Sequence, residues 1–193
     1  MGITILVCDG ERHIRTTMKG MLADLGFRDI LECGDGRKAV EIAFASFPDM
    51  AILDASLPGM DGISAALEIK NKLKIPIVLL TSDCDKATVK RALTSGVASF
   101  LTKPLRQQDL FTTIEVSLKH SEEIAKLKEK IDDLSKIIED RKIIEKAKGF
   151  LIDMNSISES EAYRVMQKLA MDKRKTLRSV ADEILKNGND KAM

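Results

Sequence analysis

The stretch AILDASLPGMDG, residues 51–62, decides how this chain is read. Ala51, Ile52 and Leu53 lead to one carboxylate, Asp54, and the run then breaks into Pro58, Gly59 and Gly62. A short apolar segment bounded by turn residues predicts a strand buried on both faces with a loop after it. Asp54 thereby falls at the carboxyl end of a strand, the edge of an open parallel sheet where α/β folds hold their ligands.

The same signature repeats on either side. ITILVC (3–8), DILEC (29–33), DMAILD (49–54), IPIVLL (75–80) and ASFLT (98–102) read as strands. Between and after them, residues 12–25, 37–46, 63–73, 86–95 and 107–119 space Leu, Ile, Ala and Val as helices do. Strand and helix alternate five times, which predicts a doubly wound, five-stranded parallel sheet with helices on both faces, because parallel neighbours need right-handed crossovers. Past Pro104 no Gly or Pro occurs until Gly149, so the helix beginning at 107 is free to continue. Ile124, Leu127, Ile131, Leu134 and Ile138 then alternate steps of three and four, a short coiled-coil seam that predicts self-association and ends at Arg141.

Three short amphipathic helices are expected to finish the chain. The first covers about 141–152, with Ile143, Ile144, Ala147, Phe150 and Leu151 apolar. The second opens on a capping box at Ser158 and Glu161 and buries Ala162, Val165, Met166, Leu169 and Ala170. The third follows a cap at Thr176 and carries Leu177, Val180, Ala181, Ile184 and Leu185. Each apolar face is too small to stand alone, so the three pack on one another.

Composition narrows the class. With 193 residues, 44% of them hydrophobic, the chain can bury a core, and no apolar run reaches the roughly 18 residues of a membrane helix. With no basic segment followed by an apolar stretch and cleavage site at the N-terminus, a soluble, cytoplasmic protein is expected. Cys8, Cys33 and Cys84 lack metal-ligand spacing and read as reduced, buried thiols. The net charge of +1 is uneven: residues 1–120 hold 15 basic and 15 acidic groups, 121–140 hold 4 and 7, and 141–193 hold 12 and 8, or 0, −3 and +4. The basic excess belongs to the C-terminal end.

Four strand ends bring polar groups to one sheet edge: Asp9, Asp54, Thr81 and Lys103. Two carboxylates repel at close range, and a divalent cation such as Mg²⁺, which prefers oxygen ligands, explains their proximity. A lysine pairs with a carboxylate or a phosphoryl oxygen, and a threonine hydroxyl donates to that oxygen. The set suits an aspartyl phosphate.

ILVCDGE, AILDASLPGMDG, PIVLLTS and SFLTKPL, in this order, make residues 3–118 resemble the receiver domain of two-component response regulators, which has a flavodoxin-like fold. The resemblance implies that Asp54 accepts phosphate from a sensor histidine kinase. It further implies that Asp9 and the Ser56 carbonyl help hold Mg²⁺, that Thr81 and Lys103 contact the phosphoryl group, and that Phe100 is the aromatic that turns inward on activation. Receivers carry two adjacent acids after the first strand, whereas this chain has Asp9-Gly10-Glu11, so Asp9 or Glu11 is left to take over from the missing acid. A receiver that signals by protein contacts alone is the alternative. A haloacid-type phosphatase or transferase is disfavoured, since its second Asp, two residues after the nucleophile, is here Ser56.

DRKIIEKAKGFLI and SESEAYRVMQKLAMDKRKTLRSVADEIL resemble the ANTAR domain, an RNA-binding module of transcription antitermination regulators. That resemblance implies binding to RNA hairpins in leader transcripts, with Arg141, Lys142, Lys146, Lys148, Lys173, Arg174, Lys175 and Arg178 available to phosphates. Phe150 and Tyr163 are assigned to packing. A DNA-binding response regulator is the rival reading. The expected organisation is a receiver over 1–119, a helical linker with the seam over 120–140 and an RNA-binding domain over 141–193. Phosphorylation would promote a homodimer and RNA binding; no enzymatic activity is expected.

Overall fold

A computed structural model describes residues 2–82, 90–92 and 94–189. Its strands are β1 (Thr4–Cys8), β2 (Asp29–Cys33), β3 (Met50–Asp54), β4 (Ile77–Thr81) and β5 (Ser99–Thr102). Its helices are α1 (Arg12–Asp24), α2 (Gly36–Ser46), α3 (Gly62–Lys72), α4 (Gln107–Asn155), α5 (Glu159–Lys173) and α6 (Leu177–Asn189). Of the helix expected over 86–95, residues 90–92 and 94 are helical, and 86–89 and 93 lie outside the described residues. By contact the chain divides into two units, Met1–Ala125 and Lys126–Met193.

In the first unit the five strands pair in parallel in the order β2-β1-β3-β4-β5. β3 and β4 are buried along their whole length, as apolar strands covered on both faces must be. Side chains alternate across the pleat. Leu6, Ala51, Leu53, Ile77 and Leu79 pack on one face with Ala39, Val40, Ala66 and Ile69 of α2 and α3. Ile5, Val7, Ile52, Val78 and Leu80 pack on the other with Met18 and Leu22 of α1 and Leu110 and Ile114 of α4. Register places Cys8 beside Leu53 and Asp54 beside Leu80, so the residues that follow β1, β3 and β4 emerge together at one edge.

Local chemistry fixes where helices start. The Asp35 carboxylate accepts from the amides of Arg37 and Lys38 at 2.8 and 3.1 Å, and Asp61 does the same for Ile63 and Ser64. The Pro58–Gly62 break turns the chain from β3 into α3. Gly59 adopts φ +74°, and a side chain at Gly62 would overlap the Asp54 carbonyl, so both positions require glycine.

In the second unit Ala147, Met166 and Ala181 are buried among Ile143, Ile144, Leu151, Leu177, Ile184 and Leu185. The capping box forms as expected: Ser158 Oγ accepts from the Glu161 amide and Glu161 Oε2 from the Ser158 amide. The Ser179 amide donates to Thr176 Oγ1 at the start of α6. Two expectations are corrected: Val165 and Tyr163, expected to pack, are 41 % and 40 % exposed because they lie off the arc of Ala162 and Met166, and the first of the three helices is not separate. Residues 141–152 are not a separate helix but the end of α4, because no proline or competing cap interrupts it and a lone Gly149 costs only about 1 kcal/mol. Ile124, Leu127, Ile131, Leu134 and Ile138 are each more than half exposed.

Candidate functional site

At the carboxyl edge of the sheet, three charged side chains meet. Asp9 follows β1 and is fully buried, Asp54 ends β3 at 8 % exposure, and Lys103 follows β5 with its side chain 13 % exposed. Lys103 Nζ lies 2.7 Å from Asp9 Oδ2 and 2.5 Å from Asp54 Oδ2. Burial alone pulls the ammonium's pKa down, but both carboxylates outweigh it and hold Lys103 above the usual lysine value. The remaining carboxylate oxygens are held by backbone: the Glu11 amide donates to Asp9 Oδ1 at 2.8 Å and the Ser56 amide to Asp54 Oδ1 at 3.0 Å. The site therefore has one fixed cation between two fixed anions.

The other expected site residues fall around this triad. Thr81 ends β4, is buried, and its carbonyl accepts from the Lys103 amide at 2.9 Å. Phe100 of β5 is partly buried against the cluster beneath α2 and α3. Ser56 lies in the turn directly after Asp54. Glu11 does not join the carboxylates: it is 61 % exposed and faces His13 Nε2 at 3.7 Å. Arg15, absent from the sequence reading, donates from Nη1 to the Asp9 carbonyl at 2.8 Å and so pins the β1–α1 loop. Its signal was the helical spacing from Glu11, which is weak without the loop's shape.

Oxygen chemistry at this edge fits Mg²⁺. Asp9 Oδ2 is buried and engaged by the Lys103 ammonium at 2.7 Å in an ion pair that lacks hydrogen-bond geometry. Beside the Asp54 carboxylate it forms a hard-oxygen pair of the kind this ion takes. Gly10 supplies no third carboxylate, and among the described residues no three His, Cys, Asp or Glu side chains gather. A Cβ at Gly10 would meet only Pro58 Cδ, at 3.4 Å, so the backbone there has room for a first side-chain carbon.

Two cysteines lie next to this site. Cys8 and Cys33 are buried, unbridged partners in the β1–β2 register; Cys8 Sγ donates to the Asp35 carbonyl at 3.4 Å, and the adjoining Cys33 thiol together with burial pushes the Cys8 thiol well up. Cys84 lies outside the described residues.

In the second unit the eight expected phosphate contacts divide. Lys148, with its side chain 12 % exposed, is held by Glu145 and Glu159 at 2.6 and 2.7 Å. Lys173 and Lys175 both pair with Glu183, whose carboxyl they hold down to about 2. Arg178 pairs with Asp182 at 2.9 Å and Asp140 at 2.7 Å. Arg141, Lys142, Lys146 and Arg174 are exposed and make no ion pair among the described residues. Arg164 and Lys168 of α5 are equally exposed cations that the sequence reading left out. Their spacing of four, opposite Ala162 and Met166, was the available signal.

Comparison with known proteins now bears on both units. The family model "Response regulator receiver domain" matches residues 5–115, and the model "ANTAR domain" matches residues 132–185. The transcriptional regulatory protein PdtaR of Mycobacterium tuberculosis is 38% identical over 181 residues, covering 94% of this chain and 88% of that protein. Among solved structures, the receiver domain of the putative response regulator NarL from Mycobacterium tuberculosis aligns at TM-score 0.57 and 28% identity, over 61% of this chain and 97% of that one. A sensor histidine kinase receiver domain from Pseudomonas aeruginosa, with magnesium coordinated in its active-site cleft, aligns at TM-score 0.57 and 28% identity, over 62% of this chain and 99% of that one. Among the described residues no helix is long and apolar enough to cross a membrane.

Proposed function

The chain belongs to the response regulators that join a receiver to an ANTAR domain, two-component regulators of RNA antitermination, and on that premise we propose that phosphate on Asp54 controls its hold on RNA hairpins. The observation that carries this reading is the single ammonium of Lys103 bridging Asp9 and Asp54 at 2.7 and 2.5 Å. Residues 1–119 act as the receiver, 120–140 as linker and 141–193 as the RNA-binding part, in the cytoplasm where kinase and transcript meet.

A sensor histidine kinase supplies the phosphoryl group. One Asp54 oxygen forms the new bond to phosphorus as the phosphorus–nitrogen bond of the donor phosphohistidine breaks, and the imidazole nitrogen keeps the electron pair. Asp54 is held for this by the Ser56 amide, which fixes its carboxylate plane. Lys103 keeps its positive charge at neutral pH and pairs with the oxygen charge that arrives on the phosphoryl group. Thr81, at the end of the adjacent strand, offers its hydroxyl to the same group, and Phe100, seated at the rim of the apolar cluster, is the aromatic that turns inward on activation. Asp9, Asp54 and the Ser56 carbonyl would hold Mg²⁺, which would supply divalent charge to offset the incoming phosphate.

The output is a dimer and an RNA contact. With Ile124, Ile131 and Ile138 at the a positions and Leu127 and Leu134 at d, the exposed seam of α4 fits a parallel two-stranded coiled coil. Glu123 and Lys128 then fall at g and e and attract across it. Phosphorylation couples to RNA because it favours the paired arrangement, and the expected coupling is about 1 to 3 kcal/mol.

Intact-mass measurement with Mg²⁺ and acetyl phosphate tests the receiver half. Wild type gains one base-labile phosphate, Asp54→Asn gains none, and Gly10→Asp reacts faster because it restores an acid where space exists. No adduct with any donor would replace the phospho-switch by a receiver that works through protein contacts.

A further inference from the structure

At 100° per residue, Tyr163, Gln167, Met171, Arg164 and Lys168 share one side of α5, an arc of about 140° opposite the buried Ala162 and Met166. All five are exposed, Met171 at 79 % and Tyr163 at 40 %. An exposed aromatic, an exposed flexible apolar side chain, an amide and two cations on one stripe are more than solubility requires. Of the acids bordering this face, Glu161 is turned back onto Ser158 and Glu159 pairs with Lys148, while Asp172 is exposed one turn beyond Lys168. Arg164 and Lys168 make no ion pair among the described residues. The stripe thus presents two exposed cations beside an aromatic ring, with the Glu161 carboxylate tempering Arg164. At its amino end, Tyr163 also lines a cleft of about 510 Å³ with Lys148, Ser158, Glu159 and Ser160, whose hydroxyls and carboxylate offer donors and acceptors.

Each component matches one part of an unpaired RNA loop. Aromatic rings stack on splayed bases, planar amides read base edges, and cations neutralise the adjoining phosphates. A flexible thioether adapts to differing apolar surfaces. We propose that the outer face of α5 is the base-reading surface of this protein: Tyr163 stacks a loop base at the cleft, Gln167 contacts base edges, and Arg164 and Lys168 grip the loop phosphates. This rests on the RNA reading above and adds a base-reading face to its phosphate contacts, which Lys148, Lys173, Lys175 and Arg178 make only by leaving their acids. Lys148 then serves as a positioning residue that holds the cleft's wall through Glu159.

The test uses the full-length chain, treated with beryllofluoride and Mg²⁺, and a hairpin RNA library with one fixed stem and a randomised six-nucleotide loop. Wild type enriches particular loops over the same stem closed by a uniform tetraloop. Against the enriched loop, Tyr163→Ala loses tenfold or more in affinity together with loop preference, while Tyr163→Phe keeps both. Lys168→Ala lowers the salt slope by about 0.7 with loop preference intact. A 2-aminopurine placed in the enriched loop is quenched by wild type and not by Tyr163→Ala. Circular dichroism and sedimentation of each variant must match wild type. If Tyr163→Ala and Gln167→Ala retain affinity and loop choice while Arg141→Ala or Lys146→Ala loses them, RNA binding stands and the α5 assignment falls. If Tyr163→Ala instead changes the oligomeric state, the stripe is a protein contact and the proposal is overturned. If wild type enriches no loop and binds no hairpin, the RNA reading itself fails.

Discussion

The receiver site and the C-terminal unit both depend on paired charges, but they pair them in opposite ways. Lys103 draws carboxylates from positions 9 and 54 into a buried triad, over sequence separations of 94 and 49 residues (103 − 9 and 103 − 54). In the second unit, Lys148 finds Glu145 one turn away and Glu159 across a short connection, while Glu183 gathers Lys173 and Lys175 at the surface. Buried charges cannot be left single, so the triad behaves as one object whose balance a phosphate can upset. The Glu183 pairs, whose lysines are nearly half exposed whereas Lys148 is as covered as Lys103, are screened by water and exchange partners at little cost, which suits a surface that must trade carboxylates for RNA phosphates. The same residue types therefore make a switch in one region and a reserve of binding charge in the other.

The comparison is broken most severely by removing its central cation. Lys103→Met leaves Asp9 and Asp54 facing each other and is expected to cost about 3 to 5 kcal/mol in metal-free buffer, read by urea unfolding at neutral pH. Mg²⁺ should return much of this loss, and a variant as stable as wild type without metal would show that the triad is not electrostatically strained. The pH dependence sharpens the same point. Lys103 holds its proton more tightly folded than unfolded, so the stability it contributes is complete below the ordinary lysine pKa of 10.5. It is lost as pH rises through the higher folded value, and Lys103→Met should lack this alkaline decline.

A smaller effect is expected at the start of α5. Ser158→Ala removes the hydroxyl that accepts from the Glu161 amide and should destabilise the second unit by about 1 kcal/mol, with phosphorylation rate unchanged. Amide exchange along α5 would report it, and an equal slowing of phosphoryl transfer would contradict the separation of the two regions. The smallest stability change belongs to Glu183→Gln, which frees Lys173 and Lys175 at the surface. Its melting temperature should hardly move, while RNA binding tightens and its salt slope steepens by up to about 1.4. Since the Glu183 carboxyl is held down to about 2, whatever its pairs add persists above the usual 4.5 and fades as pH falls towards 2. Unchanged salt dependence would show that these lysines never reach phosphate.

Much of the architecture was written locally. Alternating apolar and amphipathic segments specified five strands and their crossovers, because a strand buried on both faces must be apolar throughout and parallel pairing requires a covering helix. Asp54 was legible because a carboxylate ending such a strand, followed by Pro58-Gly59 and Gly62, has no role in the core. The capping box at Ser158 was legible for the same reason: its hydrogen bonds span three residues. Helix ends governed by absence were harder. The boundary expected near 141 vanished because α4 meets nothing there that would stop it.

What the chain folds into was thus fixed by periods of two and three to four residues and by turn chemistry, all short-range properties. Which charges are free was fixed only by tertiary structure. Arg178 and Lys168 look alike in sequence, yet Arg178 lies against Asp140, 38 residues earlier, and Lys168 faces solvent. Glu11 seemed placed to replace the missing acid at Gly10, but α1 carries its carboxylate outward to His13. Coulomb energy depends on separation and burial in space, and neither is encoded in the identity of the next residue; packing had to bring Asp9, Asp54 and Lys103 to one point before their charges could act together.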